Sequence, residues 1–234
     1  MTELGGSRIL VVGASGGLGA EISRSLAARG AQLALSGRRG DLLGAVVPGA
    51  PVLIADVTEP GYAERLVEDA VVALGGLDGV VYATGAVAFG TVQETPLDIV
   101  ERLWQVNTRG AIALLHAAIS DLSSSAQGGR EPFFVTISGV VAETPMAGLA
   151  AYSAVKSALH AHMTAAAREL RKSGIRLIDA RPGHTETELS KHPLHGTAPV
   201  FPAGLQPRTV AERIVQAVVD DEKDLPSGAF HGLS

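Results

Sequence analysis

Six short apolar runs recur along the chain, each followed by a longer stretch. They are RILVV at 8–12, QLALS at 32–36, PVLIA at 51–55, GVVYA at 79–83, FFVTIS at 133–138 and IRLIDA at 175–180. The runs are apolar at successive positions rather than alternate ones, and most end near Gly, Asp or Pro. That pattern reads as strands buried on both faces. The intervening stretches at about 17–29, 60–74, 97–125 and 149–173, and a last one at 207–221, read as helices. Strand and helix alternating in this way predict an α/β fold, a doubly wound, Rossmann-like parallel sheet with helices on both faces. Six strands are expected, with a short seventh edge strand near 228–231.

A single domain over 1–234 follows, since no repeat and no Gly/Ser linker divides the chain. At 46% hydrophobic and 18% charged residues, the chain can bury a sizeable core. A net charge of −5 without a long run of one sign argues against nucleic acid as a partner. There are no cysteines, hence no disulfide, thiolate metal site or cysteine nucleophile. The first residues, MTELGGSRILVVG, read as neither a signal peptide nor a membrane span, so a cytoplasmic protein is expected. The Pro/Gly-rich segment HPLHGTAPVFPAGLQP at 192–207 is too apolar for a plain linker. We read 188–205 as a flap over a substrate pocket, with an ordinary surface loop as the alternative.

GASGGLG follows the first strand and places Gly13, Gly17 and Gly19 in a G-x-x-x-G-x-G pattern, with Ser15 and Leu18 in the same turn. Strand, glycine turn and helix together hold a pyrophosphate: backbone N–H groups and the helix N-terminus face the anion, and a Cβ would block its approach. No Gly-Lys-Ser/Thr follows, which excludes a P-loop. The second strand ends LSGRRGD. An acidic residue at this point would hold the ribose hydroxyls and repel a 2′-phosphate. Arg38 and Arg39 stand here instead, and guanidinium groups suit a phosphate dianion. NADP(H) is therefore expected over NAD(H). Asp56 and Val57, after the third strand, are placed at the edge of the adenine.

Tyr152 and Lys156 stand at i and i+4, on one face of a helix. A free phenol ionises near pH 10. A neighbouring ammonium favours the phenolate and makes it a usable acid or base near neutrality.

Together these segments resemble the short-chain dehydrogenase/reductase family over nearly the whole chain. The resemblance rests on the glycine pattern at 13–19, Asp56-Val57, Asn107 in QVNTRGA, Tyr152-x-x-x-Lys156 and RPGHTET at 181–187. The fourth-strand motif of the family, usually N-N-A-G, is reduced to YATG, which keeps only Gly85. The resemblance implies that Tyr152 exchanges a proton with the substrate oxygen. It implies that Lys156 binds the nicotinamide ribose and lowers the tyrosine pKa. Asn107 would kink its helix and hold a relay water. Pro182, Gly183, Thr185 and Thr187 would line the nicotinamide and phosphates. The implied substrate is a small carbonyl compound or secondary alcohol. The family also implies a homodimer or homotetramer through the helices near 97–125 and 149–173, the second rich in alanine.

The family's substrate-binding serine commonly lies thirteen residues before the tyrosine. Here that position is Gly139, and Ser138 lies one residue earlier. Neighbouring side chains on a strand point to opposite faces. Three outcomes follow: a slipped loop places Ser138 in the pocket as a catalytic residue, another group such as His184 or a water polarises the carbonyl, or the site is crippled. The last would leave a dinucleotide-binding sensor or scaffold. His184 is read as a substrate contact or a packing residue. His192 and His195 lack partners at metal spacing, so no metal is expected. His160 and His162 are placed at a surface or subunit contact, and Trp104 in the core or an interface.

Overall fold

The computed structural model describes residues 1–233. Six strands form one parallel sheet: β1 (Arg8–Val12), β2 (Gln32–Gly37), β3 (Val52–Ile54), β4 (Gly79–Tyr82), β5 (Phe133–Ile137) and β6 (Arg176–Ala180). Their order is β3-β2-β1-β4-β5-β6. The helices are α1 (Gly17–Ala28), the short α2 (Gly40–Gly44), α3 (Tyr62–Leu74), α4 (Leu97–Trp104), α5 (Gly110–Gln127), α6 (Ala150–Glu169) and α7 (Pro207–Val219). The doubly wound α/β layout expected from the apolar runs is the one observed.

Successive residues of a strand face opposite sides of the sheet, and the two cores show it. Leu10, Val12, Val80, Tyr82, Phe134 and Leu177 join the core built with α3, α5 and α6. Ile9, Val11, Val81, Val135, Ile178 and Ala180 join the core built with α1 and α7. Burial on both sides is what the unbroken apolar runs require.

Two expectations fail. β3 spans only Val52–Ile54 and is not doubly buried: Ile54 is 64% exposed. It is the edge strand, pairs only with β2, and has the short α2 beside it. No seventh strand forms at 228–231, where Ser227–Phe230 is a 3₁₀ turn. A single parallel bridge between Ala180 and Leu225 occupies that edge. The chain turns there to bury Phe230 against α7 and the sheet.

The strand order reverses between β1 and β4, and in open α/β sheets ligands bind beyond the carboxyl ends at such a point. The loops after these strands touch. A Cβ on Gly13 would lie 2.6 Å from Thr84 Oγ1, and Gly13 has φ +83°, so glycine is required there twice over.

Candidate active site

Tyr152 and Lys156 project from α6 toward this same end of the sheet. Lys156 is buried, and its ammonium donates to the carbonyl of Ile137, the last residue of β5, at 2.8 Å. Its Nζ lies 5.7 Å from the centroid of the Tyr152 ring. Burial lowers the Lys156 pKa to about 8, with the charge of Asp179 acting against the shift. Burial pushes the Tyr152 phenol above its ordinary value. Both groups are thus held toward their neutral forms, and the phenol makes no hydrogen bond to another described residue.

Asn107 belongs to a five-residue π-helical turn, Gln105–Arg109, inserted between α4 and α5. Such turns leave carbonyls without their usual helical partners. Side chains meet them here: Asn107 Nδ2 donates to Leu103 O at 2.9 Å, Tyr82 Oη donates to Val106 O at 2.6 Å, and Tyr62 Oη donates to Gly110 O. Asn107 also clamps Ala86, donating to its carbonyl at 2.9 Å and accepting from its N–H at 3.2 Å. A Cβ on Gly85 would lie 3.3 Å from Asn107 Oδ1 and 3.7 Å from Lys156 Nζ. Gly85, Asn107 and Lys156 therefore converge, although only spacing connected them in the sequence. The two tyrosines that hold the π turn carried no sequence signal.

In the glycine turn, a Cβ on Gly17 would lie 2.7 Å from the Thr187 methyl, and one on Gly19 would collide with the Gly13 carbonyl. Thr187 thus stands directly over the turn. Thr185 donates to Gly183 O at 3.0 Å. Pro182 is buried, whereas a Cβ on Gly183 would meet nothing within 4 Å. Ser15 and Leu18 are half-buried in the turn. The Ser36 carbonyl accepts from Gly13 N and Ala14 N, yet the buried Ser36 hydroxyl has no partner among the described residues. Arg38 and Arg39 are exposed and form no ion pair among the described residues. Asp56 accepts from Thr58 N and Oγ1 at 2.9 and 2.7 Å. Burial opposes its ionisation, but these bonds and the Arg38 and Arg102 charges outweigh it and lower its pKa. Val57 is buried beside it.

Ser138 departs from its expected place. Its side chain is fully buried and its hydroxyl donates to Asp179 Oδ2 at 2.6 Å. Gly139 N also donates to Ala180 O, and Val140 N donates to Pro182 O, so the loop is fastened to the end of β6 and the chain just beyond it. The slipped loop that would present Ser138 to the pocket does not occur. Gly139 adopts φ +85°, ψ 165°, a backbone conformation essentially confined to glycine. Sequence reasoning also missed Asp179, Arg181 and Glu143, which lie behind this loop. Arg181 pairs with Glu143 and with Asp224.

Residues of the 188–205 segment contact the loops around the site. Leu194 N donates to Val87 O at 2.8 Å, Phe89 N donates to His195 O at 2.9 Å, and Leu205 bridges Thr185. Ala198 and Phe201 pack with Val87, Phe89, Val141, Leu149 and Tyr152. His184 stacks on Phe201 with ring centroids 4.5 Å apart. A cavity of about 460 Å³ opens between His184, Lys191, Pro193 and Phe201. His160 is not simply a surface residue, since its Nδ1 lies 2.8 Å from Asp179 Oδ2. Trp104 is 38% exposed and so is not core. No described cluster of His, Asp and Glu is arranged to hold a metal, and no described helix is long and apolar enough to cross a membrane.

A parallel sheet with its crevice at the β1/β4 reversal, a glycine turn beneath it and a tyrosine–lysine pair at its rim define a dinucleotide-dependent oxidoreductase architecture. Residues 7–196 match the family model described as short chain dehydrogenase, and the chain belongs to that family. An L-rhamnose 1-dehydrogenase (NAD(P)(+)) from a Sphingomonas species is 30% identical over 202 residues, covering 83% of this chain and 78% of the relative. A dehydrogenase/reductase SDR family protein 7-like from Anopheles gambiae is 29% identical over 242 residues, covering 95% and 75%. Among solved structures, a 3-ketoacyl-(acyl-carrier-protein) reductase from Brucella melitensis complexed with NADH superposes with a TM-score of 0.84 at 22% identity, covering 97% of this chain and 99% of that one. A Burkholderia cenocepacia short chain dehydrogenase in complex with NADP gives 0.84 at 22% identity, covering 98% and 91%. These two likenesses concern the fold.

Proposed function

We propose that the protein is an NADP(H)-dependent reductase of a small carbonyl compound, or the corresponding secondary-alcohol dehydrogenase, with Tyr152 as general acid and base. The carrying observation is the buried Lys156 ammonium 5.7 Å from the Tyr152 ring at the mouth of the β1/β4 crevice. The residues present fit a dinucleotide. Gly13, Gly17 and Gly19 bring bare backbone to the crevice and Gly183 borders open space; among the described residues the Ser36 hydroxyl lacks a partner and the two arginines after β2 form no ion pair. Gly13, Ser15, Gly17, Leu18 and Gly19 would hold the pyrophosphate. Arg38 and Arg39 would take the 2′-phosphate, and Asp56 and Val57 the adenine edge. Gly85, Lys156, Pro182, Gly183, Thr185 and Thr187 would border the nicotinamide end. When bound, the nicotinamide supplies or accepts the hydride.

This chain's residues handle the proton. The Tyr152 phenol donates it to the substrate oxygen in reduction and removes it in oxidation. A protonated Lys156 stabilises the phenolate left behind. Asn107 fixes the floor beneath Lys156 by clamping Ala86. The flap, through Ala198 and Phe201, keeps water from this proton exchange. Ser138 has no part in it, because its hydroxyl is committed to Asp179. Gly139 supplies no side-chain donor for the substrate oxygen, and losing one such donor costs about 10²–10³ in rate. The expected enzyme is therefore slow.

That missing donor favours a second reading, a dinucleotide sensor that retains binding without turnover. Oxidation of NADPH at 340 nm against ketones and aldehydes separates the two. Turnover that disappears in Tyr152→Phe supports the reductase, and tight NADPH binding with no turnover on the whole panel supports the sensor. For assembly, α6 exposes Ala150, Ala154, Ala161 and Ala165, and α4 exposes Leu97 and Trp104. These surfaces support a homodimer or homotetramer, which light scattering of the purified protein tests.

A further inference from the structure

Behind the loop at 138–143 lies a polar cluster that the proposed chemistry leaves unexplained. Its centre is Asp179 on β6, with a side chain only 5% exposed. One carboxylate oxygen accepts from Thr136 Oγ1 at 2.7 Å, and the other accepts from Ser138 Oγ at 2.6 Å and meets His160 Nδ1 at 2.8 Å. Arg181 approaches the same oxygen at 3.4 Å and also pairs with Glu143 and Asp224. Three carboxylates thus face one guanidinium and one imidazole. The cluster carries a net charge of −2 with His160 neutral and −1 with His160 protonated.

This negative cluster sits against the segment that holds Lys156. The Lys156 ammonium donates to Ile137 O, and residues 136 and 138, on either side of that carbonyl, both donate to Asp179. His160 lies one helical turn beyond Lys156 on α6. No acidic group forms an ion pair with Lys156 among the described residues. A buried ammonium bonded only to a carbonyl oxygen loses its proton readily unless a nearby negative charge opposes the loss. Asp179 is positioned to be that charge. Its effect on Lys156 is in the required direction, opposing the lowering by burial.

We propose that Asp179 is a positioning residue that acts through Lys156: it supplies the buried negative charge holding Lys156 as an ammonium, and His160 is the solvent-facing group that sets how much of this charge Lys156 feels. The role rests on the Tyr152–Lys156 chemistry proposed above for its function, but not for its measurement. His160 is 32% exposed at its side chain and so can exchange protons with solvent. Its hydrogen bond to Asp179 favours its charged form against burial, with Arg181 opposing and Asp224 assisting. Protonating His160 adds a cation on the carboxylate and weakens its hold on Lys156.

The test uses the free full-length protein labelled with ¹³Cε-lysine. The chain contains four lysines, at 156, 172, 191 and 223, and only Lys156 is buried. Its resonance should titrate near pH 8. Asp179→Asn should lower that midpoint by about one unit. Because that variant disturbs a buried hydrogen-bond hub, a second pair of variants at half-exposed His160 keeps the charge argument separate from folding. His160→Arg places a permanent cation on Asp179 and should also lower the Lys156 midpoint. His160→Gln adds no charge and should leave the midpoint unchanged or raised. A purely structural role predicts that the Arg and Gln variants behave alike. A Lys156 midpoint that ignores both Asp179→Asn and His160→Arg, or one that falls as far in His160→Gln as in His160→Arg, overturns the proposal. Since the titration needs no turnover, an inactive protein with these shifts would refute the reductase reading and leave the electrostatic one standing. In an active protein, the basic limb of kcat/KM for carbonyl reduction should move with the Lys156 midpoint.

Discussion

Replacing Gly139 by alanine isolates backbone strain from steric fit. The site offers room: an added Cβ has as its nearest neighbour only Pro182 O, at 3.7 Å. What opposes the substitution is the backbone at φ +85°, ψ 165°, where a side chain costs about 1–3 kcal/mol. The loop cannot relax cheaply, because Gly139 N, Val140 N and the Glu143–Arg181 pair fasten it to the end of β6 and the chain just beyond it. At about 2 kcal/mol, the midpoint of thermal unfolding should fall by roughly 4–8 °C for a chain of this size. Gly183→Ala provides the comparison. It too has room, with nothing within 4 Å, and it lies outside the positive-φ region. That variant should melt with the parent or slightly above it. Differential scanning calorimetry on both decides the matter. Gly139→Ala melting within about 1 °C of the parent would show that the loop is not held in this conformation. Gly139→Ser should carry the same strain, so a serine cannot simply be put back at the position thirteen before Tyr152.

Tyr152→Phe should reduce turnover by about 10²–10⁴, the usual weight of a general acid or base, while NADPH titration shows binding within a few-fold of the parent. Replacing Arg38 and Arg39 together by serine should weaken NADPH about 10–100-fold, the value of charge-assisted bonds at about 1.5–3 kcal/mol, and leave NADH unchanged; equal losses for both would remove the 2′-phosphate role. Arg181→Met should destabilise by about 3–5 kcal/mol in urea unfolding, because it leaves Asp179 without its cation in a buried setting. Asp78 gives a pH dependence at the opposite end of the sheet: burial disfavours its charge, but bonds from Arg8 and Ser125 outweigh that and hold its pKa at about 2. A depressed folded-state pKa gives stability that is present above the unfolded value and lost as pH falls through the folded one. Some 2 kcal/mol should disappear between about pH 4 and pH 2, and Asp78→Asn should flatten unfolding curves over that window.

Features set by neighbours in the chain were legible in the sequence. The unbroken apolar runs required a sheet buried on both faces. The glycine turn followed its strand directly, and four residues of helix alone put Tyr152 and Lys156 on one face. What lay beyond local geometry was decided by the tertiary structure. Val52 and Ile54 look like core residues in isolation, yet β3 lies at the edge of the sheet and exposes them. Ser138 and Gly139 looked like one site shifted by a residue. The direction of the serine hydroxyl depends on a carboxylate 41 residues further along the chain, and no spacing rule near Ser138 announces it. The same holds for Asp179 itself, which reads as one acid in an apolar strand until folding surrounds it with Thr136, Ser138, His160 and Arg181. A helix or strand period is a property of the backbone. A buried charge is tolerated only when partners from distant segments arrive together, and their arrival is what folding decides.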